Sequence, residues 1–71
     1  MYAYRRLALR RRVVINLTDS TVFSGVLRRK AGPLLELADA KIHERGDTTP
    51  VDGVVVVERA RVSFIQVLDP S

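Results

Sequence analysis

The stretch that decides the fold is residues 13–27, VVINLTDSTVFSGVL. Residues 13, 15 and 17 share one face of a β-strand, because successive side chains of a strand point to opposite faces. The tripeptide TDS at 18–20 predicts a turn, since Asp and Ser side chains bond nearby backbone groups. The second apolar run contains Gly25, and a glycine inside a strand often marks a bulge or a sharp bend. The stretch therefore predicts a β-hairpin whose second strand is bent.

The rest of the chain predicts further short strands joined by tight turns. Four β-branched residues in a row at 54–57, VVVV, predict a strand that is buried on both faces. Residues 44–52, ERGDTTPVD, predict a polar loop. The five predicted strands are residues 12–17, 21–30, 34–43, 53–59 and 62–68. Because 71 residues cannot form two large sheets, the predicted fold class is mainly β, with one strongly bent sheet curled into a small open barrel.

The N-terminal segment MYAYRRLALR fits two kinds of structure. Tyr4, Leu7 and Ala8 have helical spacing, whereas Leu7 and Leu9 alternate as in a strand. Leu, Ala and Arg favour helices and no Gly or Pro interrupts the segment, so we predict a short helix over residues 1–11. The chain is then predicted to be a single domain, residues 1–71, with the barrel at 12–68 and a tail at 69–71.

The composition narrows the function. The absence of cysteine excludes disulfides and thiolate metal sites, and the single histidine disfavours a zinc site. No nucleophile–base set, phosphate-cradling glycine loop or apolar carboxylate pair is recognisable, so we expect no enzyme activity, no cofactor and no small-molecule substrate. No apolar run approaches the roughly 20 residues of a membrane span, and no apolar segment of the signal-peptide type follows the basic N-terminus. We therefore expect a cytoplasmic protein without membrane contact.

The net charge of +4 is unevenly distributed. Residues 1–30 carry eight Lys/Arg and one acid, a charge of +7, while residues 31–71 carry four Lys/Arg and seven acids, a charge of −3. This asymmetry suggests a polyanionic partner, and ten of the twelve basic residues are arginine, which favours phosphate contacts. A GC-rich genome would produce the same richness in Arg, Val and Ala. Composition alone leaves both explanations open.

Two pairs of strands carry sequence motifs. The first motif consists of VVINL at 13–17, the turn TDS at 18–20, and FSGVL at 23–27; the second consists of VVVV at 54–57, ERAR at 58–61, and the strand at 62–68. On these residues the chain resembles the Sm-like (LSm/Hfq) family, and ALRRR at 8–12 resembles the end of the Hfq helix. The resemblance implies an N-terminal helix, a five-stranded open barrel and a homo-oligomeric ring of six or seven subunits.

The sequence departs from the family where the family binds uridine. The family's pocket uses an Asp and an Asn between strands two and three, whereas this chain has KAGP at 30–33. Ser20 replaces the usual turn glycine, and Glu58-Arg59 stands where Arg-Gly or Lys-His is usual. The carboxylate of Glu58 would repel phosphate near that pocket. The resemblance therefore supports the fold more than it supports the uridine pocket.

The implied function is a ring that binds RNA, which we expect to be single-stranded, through arginine-rich surfaces. Aromatic side chains among arginines can stack on bases. The expected RNA contacts are the rim residues Arg10, Arg11 and Arg12, extended by Arg5, Arg6 and Tyr4, with Arg59 on the pore side. In rings of this family the valine strand pairs with the last strand of the neighbouring subunit. The expected interface residues are Val54, Val55, Val56, Val57, Val62 and Phe64.

Two other readings remain open. The chain is alternatively a structural or adaptor component of a larger assembly, for example a virion, whose arginines pair with acidic protein surfaces. The missing pocket residues favour that reading, and the +7 charge of the N-terminal part favours RNA. An SH3-like barrel that binds peptides is disfavoured because few aromatic residues are present. At the end of the second strand, simple alternation predicts that Arg28 and Lys30 share a face opposite Arg29.

Overall fold

The computed structural model describes residues 10–68, which form a mainly β structure as predicted. Its strands are β1 Arg12–Leu17, β2 Val22–Ala31, β3 Leu34–Glu44, β4 Asp47–Pro50, β5 Val55–Glu58 and β6 Val62–Val67. A 3₁₀ turn, Arg59–Arg61, lies between β5 and β6. The strands predicted at 12–17, 21–30, 34–43 and 62–68 each lie within one residue of the observed bounds. Within the described residues no helix is long and apolar enough to cross a membrane.

All six strands belong to one antiparallel sheet. The order is β4-β3-β2-β1-β6, and β5 also pairs with β3. Because β2 occupies one side of β3, β4 and β5 share the other side, β4 along residues 41–44 and β5 along residues 34–37. The sheet is therefore five strands wide, as predicted, with β4 and β5 acting as two halves of one interrupted strand.

One face of the bent sheet forms the core. Each apolar side chain that leaves water here stabilises the fold by about 1.5–3 kcal/mol relative to its exposed state. The buried residues come from four strands: Val13, Ile15, Leu27, Leu35, Leu37, Ala40 and Val57. Every second residue is buried along β1 and along β3 as far as Leu37, as expected of a sheet with one solvated face. The irregular pairing at Asp39 then moves the next buried position of β3 to Ala40.

The bend in β2 occurs at Gly25, as predicted. The pairing of β2 with β3 shifts register between Ser24 and Val26, and Asp39 of β3 adopts a φ of 50° beside that shift. A Cβ atom on Gly25 would lie 2.9 Å from the carbonyl oxygen of Ala38. Glycine is required because the backbone of β3 crosses the bend too closely for any side chain.

The 3₁₀ turn connects the two ends of the bent sheet. The backbone N–H of Thr18, in the β1–β2 turn, donates to the carbonyl oxygen of Arg61 at 2.8 Å. The N–H of Arg59 donates to the carbonyl oxygen of Pro33, in the β2–β3 turn, also at 2.8 Å. These two bonds curl the sheet into an open barrel, because they tie turns from opposite ends of β2 to the same short segment.

The predicted loop at residues 44–52 is wrong in its centre. Residues 47–50 form β4, which pairs with the end of β3 from Lys41↔Pro50 to Glu44↔Asp47. Arg45 and Gly46 connect the two strands with φ values of 50° and 83°. Positive φ at both central residues is the signature of a two-residue hairpin turn of type I′. The Gly46 signal was therefore a hairpin signal, and Thr48 and Thr49 have the β-branched character of strand residues.

The prediction that the valine run is buried on both faces is also wrong. Val57 is 5% exposed and Val55 is half-buried, but Val54 and Val56 are 45% and 54% exposed. The run alternates because β5 pairs only with β3 among residues 10–68, so its other edge and its outer face meet solvent.

The predicted helix lies mostly outside the described residues, which begin at Arg10. Its last two positions are not helical. Arg10 has a φ of 65°, and its N–H donates to the carbonyl oxygen of Leu27 at 2.6 Å. The carbonyl oxygen of Arg11 accepts a bond from the N–H of Leu27 at 3.1 Å. Arg10 and Arg11 therefore extend the β1–β2 hairpin.

Candidate nucleic-acid interface

Three consecutive exposed arginines precede and begin β1; we call Arg10, Arg11 and Arg12 the rim arginines. Their backbone is fixed on both sides, by the two bonds to Leu27 and by the N–H of Leu68, which donates to the carbonyl oxygen of Arg12 at 2.9 Å. No acidic side chain within residues 10–68 forms an ion pair with them. A rigid backbone thus presents three guanidinium groups to solvent, a favourable arrangement for phosphate contacts.

The other expected contacts of the N-terminal segment are Tyr4, Arg5 and Arg6. They lie outside the described residues, so their positions relative to the rim arginines stay a prediction.

The basic end of β2 is internally compensated. Arg28 Nε and Arg29 Nε lie 3.5 Å and 3.3 Å from the carboxylate oxygens of Glu36 on β3. Simple alternation placed these arginines on opposite faces, and this is wrong because the β2–β3 register shifts between Leu27 and Arg29. A bulge re-aims a side chain, so both arginines reach the same carboxylate. This cluster offers less unpaired positive charge than the rim arginines do.

Arg59 begins the 3₁₀ turn and is half-buried. It lines a groove of about 540 Å³ together with Pro33, Val62 and Phe64. Arg61 Nε lies 3.8 Å from Glu58 Oε1, so the acid next to Arg59 is partly compensated by the second arginine of the turn. The groove therefore combines apolar walls with the guanidinium group of Arg59.

The β1–β2 turn contributes an acid near Arg61. The N–H of Thr21 donates to Asp19 Oδ1 at 3.0 Å. This bond, a second one from the Thr21 hydroxyl and the nearby charge of Arg61 hold the pKa of the Asp19 carboxyl below its ordinary value. Asp19 is therefore an anion across the physiological pH range and reduces the positive field of Arg61.

Within residues 10–68, three strands have one edge that no other strand covers: β4 and β5, which pair only with β3, and β6, which pairs only with β1. Large apolar side chains are exposed at two of these edges, Val54 and Val56 at β5 and Phe64, 58% exposed, at β6. Val55 and Val62 are half-buried against the core, and Val57 is buried in it. Of the six expected interface residues, three thus present their side chains outward.

Sequence reasoning missed a polar cluster beside the β1–β2 turn. His43 Nε2 lies 2.8 Å from Ser24 Oγ and Nδ1 lies 3.1 Å from Thr48 Oγ1, so the ring joins β2, β3 and β4. The missed signal was again the Arg45-Gly46 turn, because a hairpin there places Thr48 opposite His43.

Comparisons with known proteins were made by sequence and by structure. No protein-family model matches the sequence, and no curated protein matches it significantly. The structure is similar to that of the SmAP1 heptamer of P. aerophilum, with a TM-score of 0.85 and 27% identity over 97% of this chain and 93% of that chain. It is also similar to a heptameric archaeal Sm protein, with a TM-score of 0.83 and 28% identity over 94% and 98%.

A third similar structure is the Sm protein of Pyrococcus abyssii in complex with a uridine heptamer. Its TM-score is 0.82, with 22% identity over 94% of this chain and 96% of that chain. All three matches span nearly the whole of both chains. The chain therefore has the Sm-like fold that its two strand–turn–strand motifs predicted.

Proposed function

We propose that this chain assembles into a closed ring of seven identical subunits and binds single-stranded RNA through its arginine-rich surface. The observation that carries the proposal is that two strand edges expose apolar side chains on a small sheet whose three rim arginines form no ion pair within residues 10–68. The edges account for the ring and the arginines for the RNA.

The uncovered edges of β5 and β6 support assembly into a ring. An uncovered edge strand such as β5, whose residues 55–57 are all valine, is a template for pairing, and proteins that leave such edges uncovered tend to aggregate. Edges β5 and β6 differ in sequence, so pairing β5 of one copy with β6 of the next is a head-to-tail contact. A head-to-tail contact covers the edges of both β5 and β6 in every copy when the rotation closes. The heptameric state of two similar Sm proteins supports closure at seven subunits.

The positive charge of the rim arginines supports RNA binding. A ring repeats the rim arginines in every subunit, and each arginine that neutralises a phosphate releases counterions from the nucleic acid. The uridine heptamer bound to the similar Pyrococcus abyssii protein supports RNA as the polyanion. KAGP at 30–33 lacks the acid and amide of the family's uridine pocket, so we assign the main contacts to the rim arginines. Arg59 is a secondary contact in the groove by the 3₁₀ turn.

The proposed role is binding without catalysis, in the cytoplasm. The second candidate function is a structural or adaptor ring without RNA, and the pairing of Arg28 and Arg29 with Glu36 favours it, because these arginines already have an acidic protein partner. RNA affinity distinguishes the two functions.

Removing the rim arginines is expected to weaken RNA binding and its dependence on salt. The variant is Arg10→Gly, Arg11→Ala, Arg12→Ala, with glycine at position 10 because φ is 65° there. Three lost phosphate contacts lower the slope of log affinity against log salt by about 2, since each contact on a single strand contributes about 0.7. Fluorescence anisotropy of a labelled heptauridine, titrated at several salt concentrations, measures both quantities.

A matched triple variant controls for net charge. The control variant, Arg28→Ala, Arg29→Ala, Arg45→Gly, also removes three positive charges, but at other positions. Its glycine likewise lies at a residue with a positive φ, 50°. We expect it to change the salt slope by much less than the rim variant does. Equal effects from both variants would contradict the rim assignment. A parent ring that holds no RNA at low salt would exclude RNA binding and favour the structural ring.

A further inference from the structure

A second groove, of about 470 Å³, lies beside the rim arginines. Its charged lining residues are Arg12 at the start of β1, Asp39 and Lys41 on β3, and Asp52 in the segment between β4 and β5. All four are exposed side chains. The groove thus continues the rim at Arg12 and adds two carboxylates to it. We call it the mixed-charge groove.

Hydrogen bonds and backbone conformation fix the main-chain positions of the two acids in this groove. Asp39 adopts a φ of 50° in the irregular pairing opposite Gly25, and Gly53, directly after Asp52, adopts a φ of 76°. Both geometries come from the bend and from the interruption between β4 and β5. The N–H of Val51 donates to the carbonyl oxygen of Ala40 at 2.9 Å, which holds the Asp52 segment against β3. The main chain that carries the two carboxylates therefore belongs to β3 or is held against it.

The two signs of charge in this groove do not neutralise each other through ion pairs. Within residues 10–68 no ion pair joins Arg12 or Lys41 to Asp39 or Asp52. A ligand that matches such a groove carries an anion for the cations and hydrogen-bond donors for the carboxylates. A nucleotide has this character, because its phosphate is anionic and its base edge carries donors.

The bases differ in what they offer a carboxylate. Guanine presents two adjacent donors, N1–H and the N2 amino group, which match the two oxygens of one carboxylate. Uracil presents a single N–H between two carbonyl oxygens, and adenine and cytosine each place an acceptor beside the amino donor. An ionised carboxylate only accepts hydrogen bonds, so it favours guanine and repels the acceptor edges.

We propose that the mixed-charge groove binds a guanine nucleotide within the RNA, with its base on Asp39 or Asp52 and its phosphate on Arg12 or Lys41. This inference rests on the proposed RNA-binding function and gives it a base preference. The continuity of the groove with Arg12 favours RNA over a charged peptide, because a phosphate held by the rim arginines brings the adjoining nucleotide to the groove.

The test compares RNAs that differ at one base. Labelled UUUUUUU and UUUGUUU are titrated with the intact protein at one salt concentration, together with versions that carry inosine or adenine at the central position. The guanine RNA is expected to bind about fivefold to tenfold more tightly than heptauridine, the low end of the discrimination from a bidentate base contact. Inosine, which lacks the N2 amino group, is expected to lie between them, and adenine to give no gain.

The variant Asp39→Asn, Asp52→Asn is expected to abolish the guanine advantage while heptauridine affinity stays equal or rises. Asparagine tolerates the positive φ of position 39, so the fold is preserved. The matched control, Glu44→Gln with Asp47→Asn, removes two acids at the β3–β4 hairpin and is expected to keep the advantage.

The outcomes separate the two proposals. Equal binding of guanine and uridine RNAs by the parent, or an advantage that survives in the Asp39/Asp52 variant, would overturn the guanine site and leave RNA binding intact. Failure of every RNA to bind at low salt would overturn both, and would leave the groove to a protein partner.

Discussion

Lysine in place of Val56 is expected to convert the ring into monomers of 8.0 kDa. Val56 is 54% exposed at the centre of β5, and in the proposed ring β6 of the neighbouring subunit pairs with this strand. Charged side chains on an edge strand block pairing, and burying an unpaired ammonium costs several kcal/mol. The same charge recurs at every interface of the ring. Size-exclusion chromatography with light scattering measures the mass, and circular dichroism checks that the monomer keeps its β structure.

Ala31→Lys is the matched control for this variant. Ala31 is exposed at the end of β2, away from the edges of β5 and β6. Lysine at this position therefore adds the same charge outside the proposed interface. We expect the control to keep the mass of the parent. A Val56→Lys protein that also keeps the parent mass would show that β5 is not the assembling edge.

Alanine in place of Gly25 is expected to lower the free energy of unfolding by about 2 kcal/mol, within the range of overpacked cores. The new Cβ would lie 2.9 Å from the carbonyl oxygen of Ala38 and 3.2 Å from Cα of Ala40. Both are backbone atoms, so no side-chain rotation relieves the contact, and the bend itself must open. Valine at this position is expected to prevent folding.

Urea denaturation at a fixed protein concentration measures the effect, because stability and assembly are linked in an oligomer. Gly53→Asn is a suitable control. Gly53 has a φ of 76°, which asparagine tolerates, and a Cβ atom at this position would meet nothing within 4 Å. A Gly25→Ala protein as stable as this control would contradict the close approach of β3 to the bend.

The elements that were predictable from sequence are those whose signals are local. Two-residue alternation and the TDS turn located β1 and β2 to within a residue, and Gly25 marked the bend because it stood inside a strand pattern. The polar composition of residues 44–52 predicts a loop, whereas positive φ at Arg45 and Gly46 makes a hairpin turn there. Composition reports solvent exposure, and a solvated hairpin is as polar as a loop.

The candidate site was only partly predictable. Consecutive rim arginines are visible in any sequence, and their exposure follows from their charge. The pairing of both Arg28 and Arg29 with Glu36 depends on a register shift, which a single sequence does not reveal. The valine run predicted a strand, but four identical residues carry no period, so the exposed positions could not be told from the buried one. The mixed-charge groove joins β1, β3 and the β4–β5 segment, so only the folded chain brings it together.

Native mass spectrometry of the parent protein mixed with heptauridine tests directly whether seven chains form a ring that binds RNA. We expect a complex of seven chains, about 56 kDa from seven times 8.0 kDa, that carries bound RNA. Added salt is expected to release the RNA and leave the seven-chain ring intact, because the ring is held by strand edges and the RNA by charge. A chain that stays at 8.0 kDa without RNA would contradict the account.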